Sequence, residues 1–205
     1  MSGALEAIES RDAFNRSESP LSAGGNWAAL AWDSAGTTNT GQAASGWGPV
    51  EAFSSVAGAY WTRTNWYDGG SGDAVVATEG QNPTISERYF SLWLDMATPA
   101  TAKSDYELRF TESTTQPVFE VVLSKWVSGT KTVLASKPGY SLPVGSSFAL
   151  AAKAGTVSVW TKTGGEFTQL LSAADATYKS GYVGIEGSGN ITRITGSKAG
   201  PLAPF

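Results

Sequence analysis

The chain of 205 residues contains no cysteine and no histidine. The first absence excludes disulfides and thiolate metal sites. The second excludes Ser-His-Asp and Cys-His catalysis, imidazole-held zinc and a histidine pH switch. Charge is scarce as well: Asp, Glu, Lys and Arg make up 16% of the residues, and the formal net charge is −4. That sign and density do not suit a phosphate backbone, so nucleic-acid binding is not expected. No apolar run approaches the ~20 residues that span a bilayer, so membrane insertion is not expected either. The opening Met1 to Glu9 shows neither the basic nor the apolar region of a secretory signal.

What the chain does have is glycine, at 24 residues, and tryptophan, at 8. This is the composition of a turn-rich, aromatic-bearing β protein. The length is within reach of a single all-β domain with a sizeable core.

The most regular stretch runs from Arg88 to Trp126. In Tyr89 to Met96, Phe90, Leu92, Leu94 and Met96 share one parity, and Tyr89, Ser91, Trp93 and Asp95 share the other. Tyr106, Leu108 and Phe110 alternate with Glu107, Arg109 and Thr111, and Phe119, Val121 and Leu123 alternate in the next run. Successive strand side chains point to opposite faces, so three strands with one apolar and one polar face are predicted. The polar face carries Tyr89, Trp93 and Trp126 among Asp95, Glu107, Arg109 and Glu120.

Elsewhere the same reading places strands at Asp12–Arg16, Trp27–Trp32, Ala74–Glu79, Thr132–Ser136, Phe148–Leu150, Thr156–Thr161, Thr168–Leu171, Tyr182–Ile185 and Ile191–Ile194. Ser2–Arg11 reads either as a short helix or as a frayed terminus, Asp33–Gly48 as a long loop or short strands with turns, and Asp175–Lys179 as a turn or helical turn. The Ser128-Gly129 turn joins two of the strands as a hairpin. The predicted class is all-β, a two-sheet antiparallel jelly-roll sandwich with little helix. Its expected organisation is an N-terminal arm at 1–11, the sandwich at 12–198 and a tail at 199–205.

Asp12 to Arg16, Phe90 to Leu94, Tyr106 to Phe110, Phe119 to Lys125, Thr132 to Ser136, Val157 to Trp160 and the closing Tyr178 to Ile185 come in an order that resembles the concanavalin A-like lectin/glucanase superfamily. The laminin G-like jelly rolls are the nearest branch. The resemblance implies two stacked antiparallel sheets and a surface that often binds glycans. Its enzyme branches carry Glu-x-Asp-x-x-Glu on one strand, or a histidine with arginine-rich strands, and neither occurs here. Related domains often hold calcium between acidic residues of the first and last strands. Asp12 matches the first position, whereas Thr192, Arg193 and Thr195 stand where the second acid is wanted.

Three candidate sites follow. Tyr89, Trp93, Trp126 and Trp160 offer flat faces for sugar rings, with Asp95, Glu107, Arg109 and Glu120 for hydroxyls; the competing reading is that these tryptophans are core. The glycine-rich loop with Asp68 and Asp73, near Glu79, has oxygen donors for calcium but lacks the Asp-x-Asp-x-Asp-Gly spacing, so a plain turn competes. Glu107 and Glu120, on neighbouring strands, are either an acid/base pair or a solvated charge face. No catalytic residue is assigned and no cofactor is expected, calcium being the one alternative.

The expectation for function is a non-catalytic recognition or structural sandwich, displayed as a bacteriophage minor tail, fibre or decoration component in the virion. Its expected partner is a cell-surface glycan or a neighbouring virion protein, with assembly or homo-oligomerisation through the N-terminal arm. The alternatives are a glycan-degrading enzyme and a binding module excised from a secreted bacterial protein acting at the cell surface.

Overall fold

The computed structural model describes residues 10–12, 27–29, 49–50, 57–61, 74–81, 89–97, 101–112, 118–143, 146–188 and 192–201. In chain order the strands are β1 (Ser10–Asp12), β2 (Trp27–Ala29), β3 (Pro49–Val50), β4 (Ala57–Trp61), β5 (Ala74–Gln81), β6 (Tyr89–Met96) and β7 (Asp105–Glu112). They continue as β8 (Val118–Val127), β9 (Thr130–Ser141), β10 (Ser147–Lys153), β11 (Thr156–Lys162), β12 (Thr168–Ala174), β13 (Tyr182–Ser188) and β14 (Thr192–Pro201). No helix occurs among the described residues, and so none long and apolar enough to cross a membrane.

The strands form two antiparallel sheets. One runs β1-β14-β5-β10-β11-β12, with β3 also on β14; the other runs β2-β4-β13-β6-β7-β8-β9. This is the expected all-β sandwich. Ser10 and Arg11 pair with Ala199 and Lys198, so that end of Ser2–Arg11 is strand instead. Paired strand therefore extends past 12–198 on both sides. Residues 1–9, 33–48 and 202–205 lie outside the described residues, and with them most of the arm, the long loop and most of the tail.

The inner faces meet in one apolar core. Phe90, Leu92 and Leu94 of β6, Tyr106, Leu108 and Phe110 of β7, and Phe119, Val121 and Leu123 of β8 pack against Phe148 and Leu150 of β10 and Val157 and Val159 of β11. Phe90 is central, with its ring centroid 4.7 Å from both Phe110 and Phe148. Such aromatic pairs are worth about 0.5–1.5 kcal/mol beyond area burial.

Met96 departs from the expected pattern. It does not join Leu94 in the core but packs with Trp93, Trp126 and Tyr182 on the outer face. The cause is a bulge: Trp93 pairs with Gly184 and Met96 with Tyr182, leaving two residues of β6 opposite one of β13. Asp95 takes a left-handed φ of 56° there. One extra residue flips the parity of everything after it. Gly181 closes over this bulge. A Cβ at that position would lie 2.3 Å from the Asp95 carbonyl carbon and 2.6 Å from Met96 N, so only glycine fits.

Candidate functional site

Pairing across the second sheet lines its outer face in rows. Glu186, Ser91, Arg109 and Val122 form one row, and Gly184, Trp93, Glu107 and Ser124 the next. Asp105, Trp126 and Lys131 form a third, nearer the β8–β9 hairpin. Five of the eight predicted face residues, Tyr89, Trp93, Glu107, Arg109 and Trp126, are brought together here, and Asp95 lies on the bulge of β6.

Glu107 is the hub and is fully buried. Its Oε1 accepts hydrogen bonds from Ser91 Oγ at 2.9 Å and Arg109 Nε at 2.7 Å, with Arg109 Nη2 at 2.6 Å. Its Oε2 accepts from Trp126 Nε1 at 2.9 Å and pairs with Lys131 Nζ at 3.3 Å. Burial by itself pushes the carboxyl up, but Arg109, Lys131 and these hydrogen bonds outweigh it and hold Glu107 below its ordinary value. A carboxylate so fully engaged is a fixed charge that positions its neighbours.

Arg109 bridges outward from that hub. Its guanidinium lies 3.8 Å from the Tyr89 ring centroid, and Nη2 reaches Glu186 Oε1 at 3.4 Å. Tyr89 Oη donates to the same Glu186 oxygen at 2.7 Å. Burial, then the Glu186 charge, pushes the Tyr89 phenol far above its usual range. Burial opposes the Arg109 charge, but Glu107 and Glu186 more than restore it.

The aromatic part lies beside this network. The Trp93 and Trp126 centroids are 6.4 Å apart at 49°. Trp93 is fully buried, and Trp126 is partly exposed. Lys103 Nζ sits 4.9 Å from the Trp93 centroid and 4.6 Å from that of Trp126, and Lys131 Nζ is 5.5 Å from Trp126. Asp105 is buried at the start of β7, and neither carboxylate oxygen has a hydrogen-bond partner among the described residues. Burial, then the neighbouring Glu107 charge, pushes it up to about 8. Asp95 is likewise buried, on the bulge.

A second polar knot holds the β12–β13 connection. Asp175 accepts from Tyr106 Oη at 2.7 Å, from Thr177 N at 2.9 Å and from Lys125 Nζ. Burial opposes its charge, but these hydrogen bonds hold the carboxyl well below its ordinary value. Tyr178 Oη donates to the Trp126 carbonyl at 2.6 Å, tying this connection to the aromatic site.

Two predicted members do not fit. Trp160 lies on β11 in the other sheet, facing away from the core over Ala149 and Ala151, with Nε1 donating to Ser158 Oγ at 2.9 Å. It therefore sits on the opposite outer face of the sandwich. The strand at Thr156–Thr161 is where the sequence places it, but local pattern does not say which sheet a strand joins. Glu120 is on the same face as Glu107 but exposed, opposite Thr111, whereas Glu107 is opposite Ser124. Four residue steps along β8 put the two rows about 13 Å apart, beyond the ~5–9.5 Å of hydrolase carboxylate pairs. They do not face each other.

Of the calcium candidates, Asp68 and Asp73 lie outside the described residues, and Asp12 pairs with Ser197 in the other sheet. Among the described residues no three acidic groups converge as a ligand set.

Sequence reasoning missed Ser91 as a site member, and it missed Glu186, Lys131, Lys103 and Asp105. The parity of Tyr182, Gly184 and Glu186 points to Glu186, and the Ser128-Gly129 hairpin register places Lys131 opposite Trp126. Nothing in the pattern signals Lys103, which lies in the β6–β7 connection.

No family model and no curated protein matches the sequence. Solved structures do match. The carbohydrate-binding module CBM66 from Bacillus subtilis aligns with a TM-score of 0.50 at 11% identity, over 86% of this chain and 93% of that one. The exoplasmic/lumenal domain of VIP36, in its Ca2+/Man3GlcNAc-bound form, aligns at 0.54 and 12% identity, over 79% and 81%. The Bacteroides ovatus xyloglucan PUL protein GH43B aligns at 0.60 and 12%, over 94% of this chain but 39% of that one. At these identities the likeness is one of fold. It bears out the two-sheet antiparallel β-sandwich expected from the strand order.

Proposed function

We propose that the chain is a non-catalytic carbohydrate-recognition sandwich that takes its glycan on the outer face of the β2–β9 sheet, around Trp126, Tyr89 and Arg109. The observation that carries this reading is the partly exposed Trp126, its Nε1 fixed by buried Glu107 and its ring flanked by Lys103 and Lys131. A ring held rigidly by its polar atom suits the C–H face of a sugar, and the charged groups around it suit hydroxyls. Likeness to a carbohydrate-binding module over 93% of that module's length supports the same class. A binding role is favoured over catalysis because both Glu107 oxygens are engaged and Glu120 stands far from it.

Binding is tested on an immobilised glycan panel. Trp126→Ala and Tyr89→Ala should each weaken retention at least tenfold with the fold intact by circular dichroism. Undiminished binding by both variants would move the site elsewhere. Release of reducing ends, abolished by Glu107→Gln or Glu120→Gln, would replace the binding reading with an enzymatic one.

Two settings for such a domain are proposed. Display on a bacteriophage virion is tested by antibody labelling of particles. A module of a larger secreted bacterial protein is favoured by one observation: the GH43B match spans 39% of that chain, so there the same fold is one part of a longer protein.

A further inference from the structure

Lys103 is held in an unusual position for a surface lysine. Its ammonium lies within 5 Å of two indole centroids, at 4.9 Å from Trp93 and 4.6 Å from Trp126. A cation over an indole face is attracted by the ring quadrupole, and more strongly when the contact is desolvated. Trp93 is fully buried, which puts this contact toward the desolvated end. Tyr182 and Met96 pack against the same pair, and buried Asp105 stands two residues away on β7.

The backbone beneath Lys103 is anchored independently of its side chain. Gly129 N donates to the Lys103 carbonyl at 2.8 Å, Ser128 N to Ser104 Oγ at 3.1 Å, and Ala97 N to the Ser104 carbonyl at 3.0 Å. The side chain is thus a flexible stem on a fixed base. Rotamer changes can carry its ammonium off the indoles with these backbone hydrogen bonds left in place.

We propose that the Trp93–Trp126 pair is a cation-accepting subsite, filled in the resting protein by Lys103, whose external ligand is a sugar bearing a free ammonium group. Such a de-N-acetylated amino sugar stacks its C–H face on Trp126 and puts its ammonium where Lys103 Nζ now lies. The inference rests on the glycan-binding reading above and narrows its substrate class. Lys103 then acts as an internal competitor: a neutral sugar must displace it without replacing its charge, whereas an amino sugar supplies the charge itself.

The test uses the full chain at pH 6, where the amine is protonated, with tryptophan fluorescence and calorimetry as readouts. Wild type should bind glucosamine oligomers at least tenfold more tightly than N-acetylglucosamine or glucose oligomers of equal length. Lys103→Ala should bind ethylammonium saturably, wild type at least tenfold more weakly, and Lys103→Ala combined with Trp126→Leu not at all. Lys103→Met, which keeps the stem without the charge, guards against a folding defect and should also gain affinity for glucosamine oligomers. Equal affinity for amino and neutral sugars would overturn the subsite while leaving glycan binding intact. Failure of every oligosaccharide to bind any variant would overturn the glycan reading and this proposal with it. Absence of a saturable ethylammonium response in folded Lys103→Ala would reduce the Lys103 contact to a structural one.

Discussion

Strands β6, β7 and β8 carry two buried surfaces of opposite kind on one backbone. Leu92, Leu108 and Leu123 on the inner face are fully buried, and so are Ser91, Glu107 and Ser124 on the outer face. Burial alone therefore does not separate them. The inner face is held by area and shape, a non-directional term that tolerates changes conserving volume. The outer face is held by partners: Glu107 alone engages Ser91, Arg109, Trp126 and Lys131. The outer face has given up the tolerance of an apolar core for fixed positions around Trp126, and substitutions on the two faces should fail differently.

The largest effect is expected where the two faces are joined. The bulge at Asp95 moves Met96 from the inner parity to the outer, and Gly181 packs directly on its peptide bond. The neighbours of a new Cβ are backbone atoms, which no rotamer change can move aside. Gly181→Ala should cost about 3 kcal/mol or more, at or above the upper end of overpacking penalties. Urea denaturation measures it; a loss below about 1 kcal/mol would mean that the bulge relaxes freely.

Next come paired substitutions, one per face. Leu108→Ala should cost about 3 kcal/mol, within the range for buried leucines. Arg109→Met should cost about 2–3 kcal/mol at pH 7, less than a fully buried pair because solvent screens part of the charge. The Arg109 side chain is in fact 20% exposed. The discriminating measurement is pH. The Arg109→Met penalty is full at pH 7 and should shrink as the solution is acidified below ~4, where Glu107, whose pKa folding lowers, takes up its proton, while that of Leu108→Ala stays constant. Identical pH profiles would erase the distinction between the faces.

Asp105 sharpens the comparison further, as an outer-face group with no hydrogen-bond partner among the described residues. Folding raises its pKa to about 8, so the folded state keeps a proton that the unfolded chain releases near ~3.9. Its contribution is fully present below the unfolded value and is lost as pH rises toward the folded one. Asp105→Asn should leave the free energy of unfolding nearly unchanged at pH 4 and raise it above wild type progressively to pH 8, by about 1–2 kcal/mol at the top. Asp175, whose pKa folding lowers, should behave oppositely: the Asp175→Asn penalty is full at neutral pH and shrinks as the solution is acidified below ~4. A flat Asp105→Asn profile would place that carboxylate in contact with water.

Most of the fold was legible because the apolar period survives burial. Phe90, Leu92 and Leu94, Tyr106 to Phe110 and Phe119 to Leu123 alternate in sequence as they do in space. Tyr89, Trp93, Glu107, Arg109, Glu120 and Trp126 share the outer face of the second sheet for the same reason. The failures mark where local pattern carries no information. Met96 has the core parity in sequence but a bulge turns it to the outer face, and Asp95 gives no warning of a left-handed φ. Trp160 is aromatic and outward, like Trp126, yet belongs to the other sheet. Glu107 reads as a surface charge because its four partners come from four strands, β6 to β9, and from both sides of a hairpin.

The smallest expected effect belongs to a position that touches neither face. Two-residue turns join β8 to β9 and β10 to β11, and in both turns the two central residues have positive φ. These are 47° and 82° at Ser128 and Gly129, and 49° and 75° at Ala154 and Gly155. This is the type I′ geometry, whose twist matches that of the flanking strands and which favours Asn-Gly. Alanine at its first position bears a left-handed penalty of about 1 kcal/mol that asparagine largely avoids. Ala154 is exposed, so a larger polar side chain displaces nothing. Ala154→Asn should therefore stabilise the protein by a few tenths to about 1 kcal/mol, with no pH dependence and no change in glycan binding. Because the substitution alters the backbone preference of one turn alone, it sets the baseline for the face variants. A pH-dependent response from Ala154→Asn would mean that the profiles assigned to Arg109 and Asp105 report a global property of the chain and not the two faces.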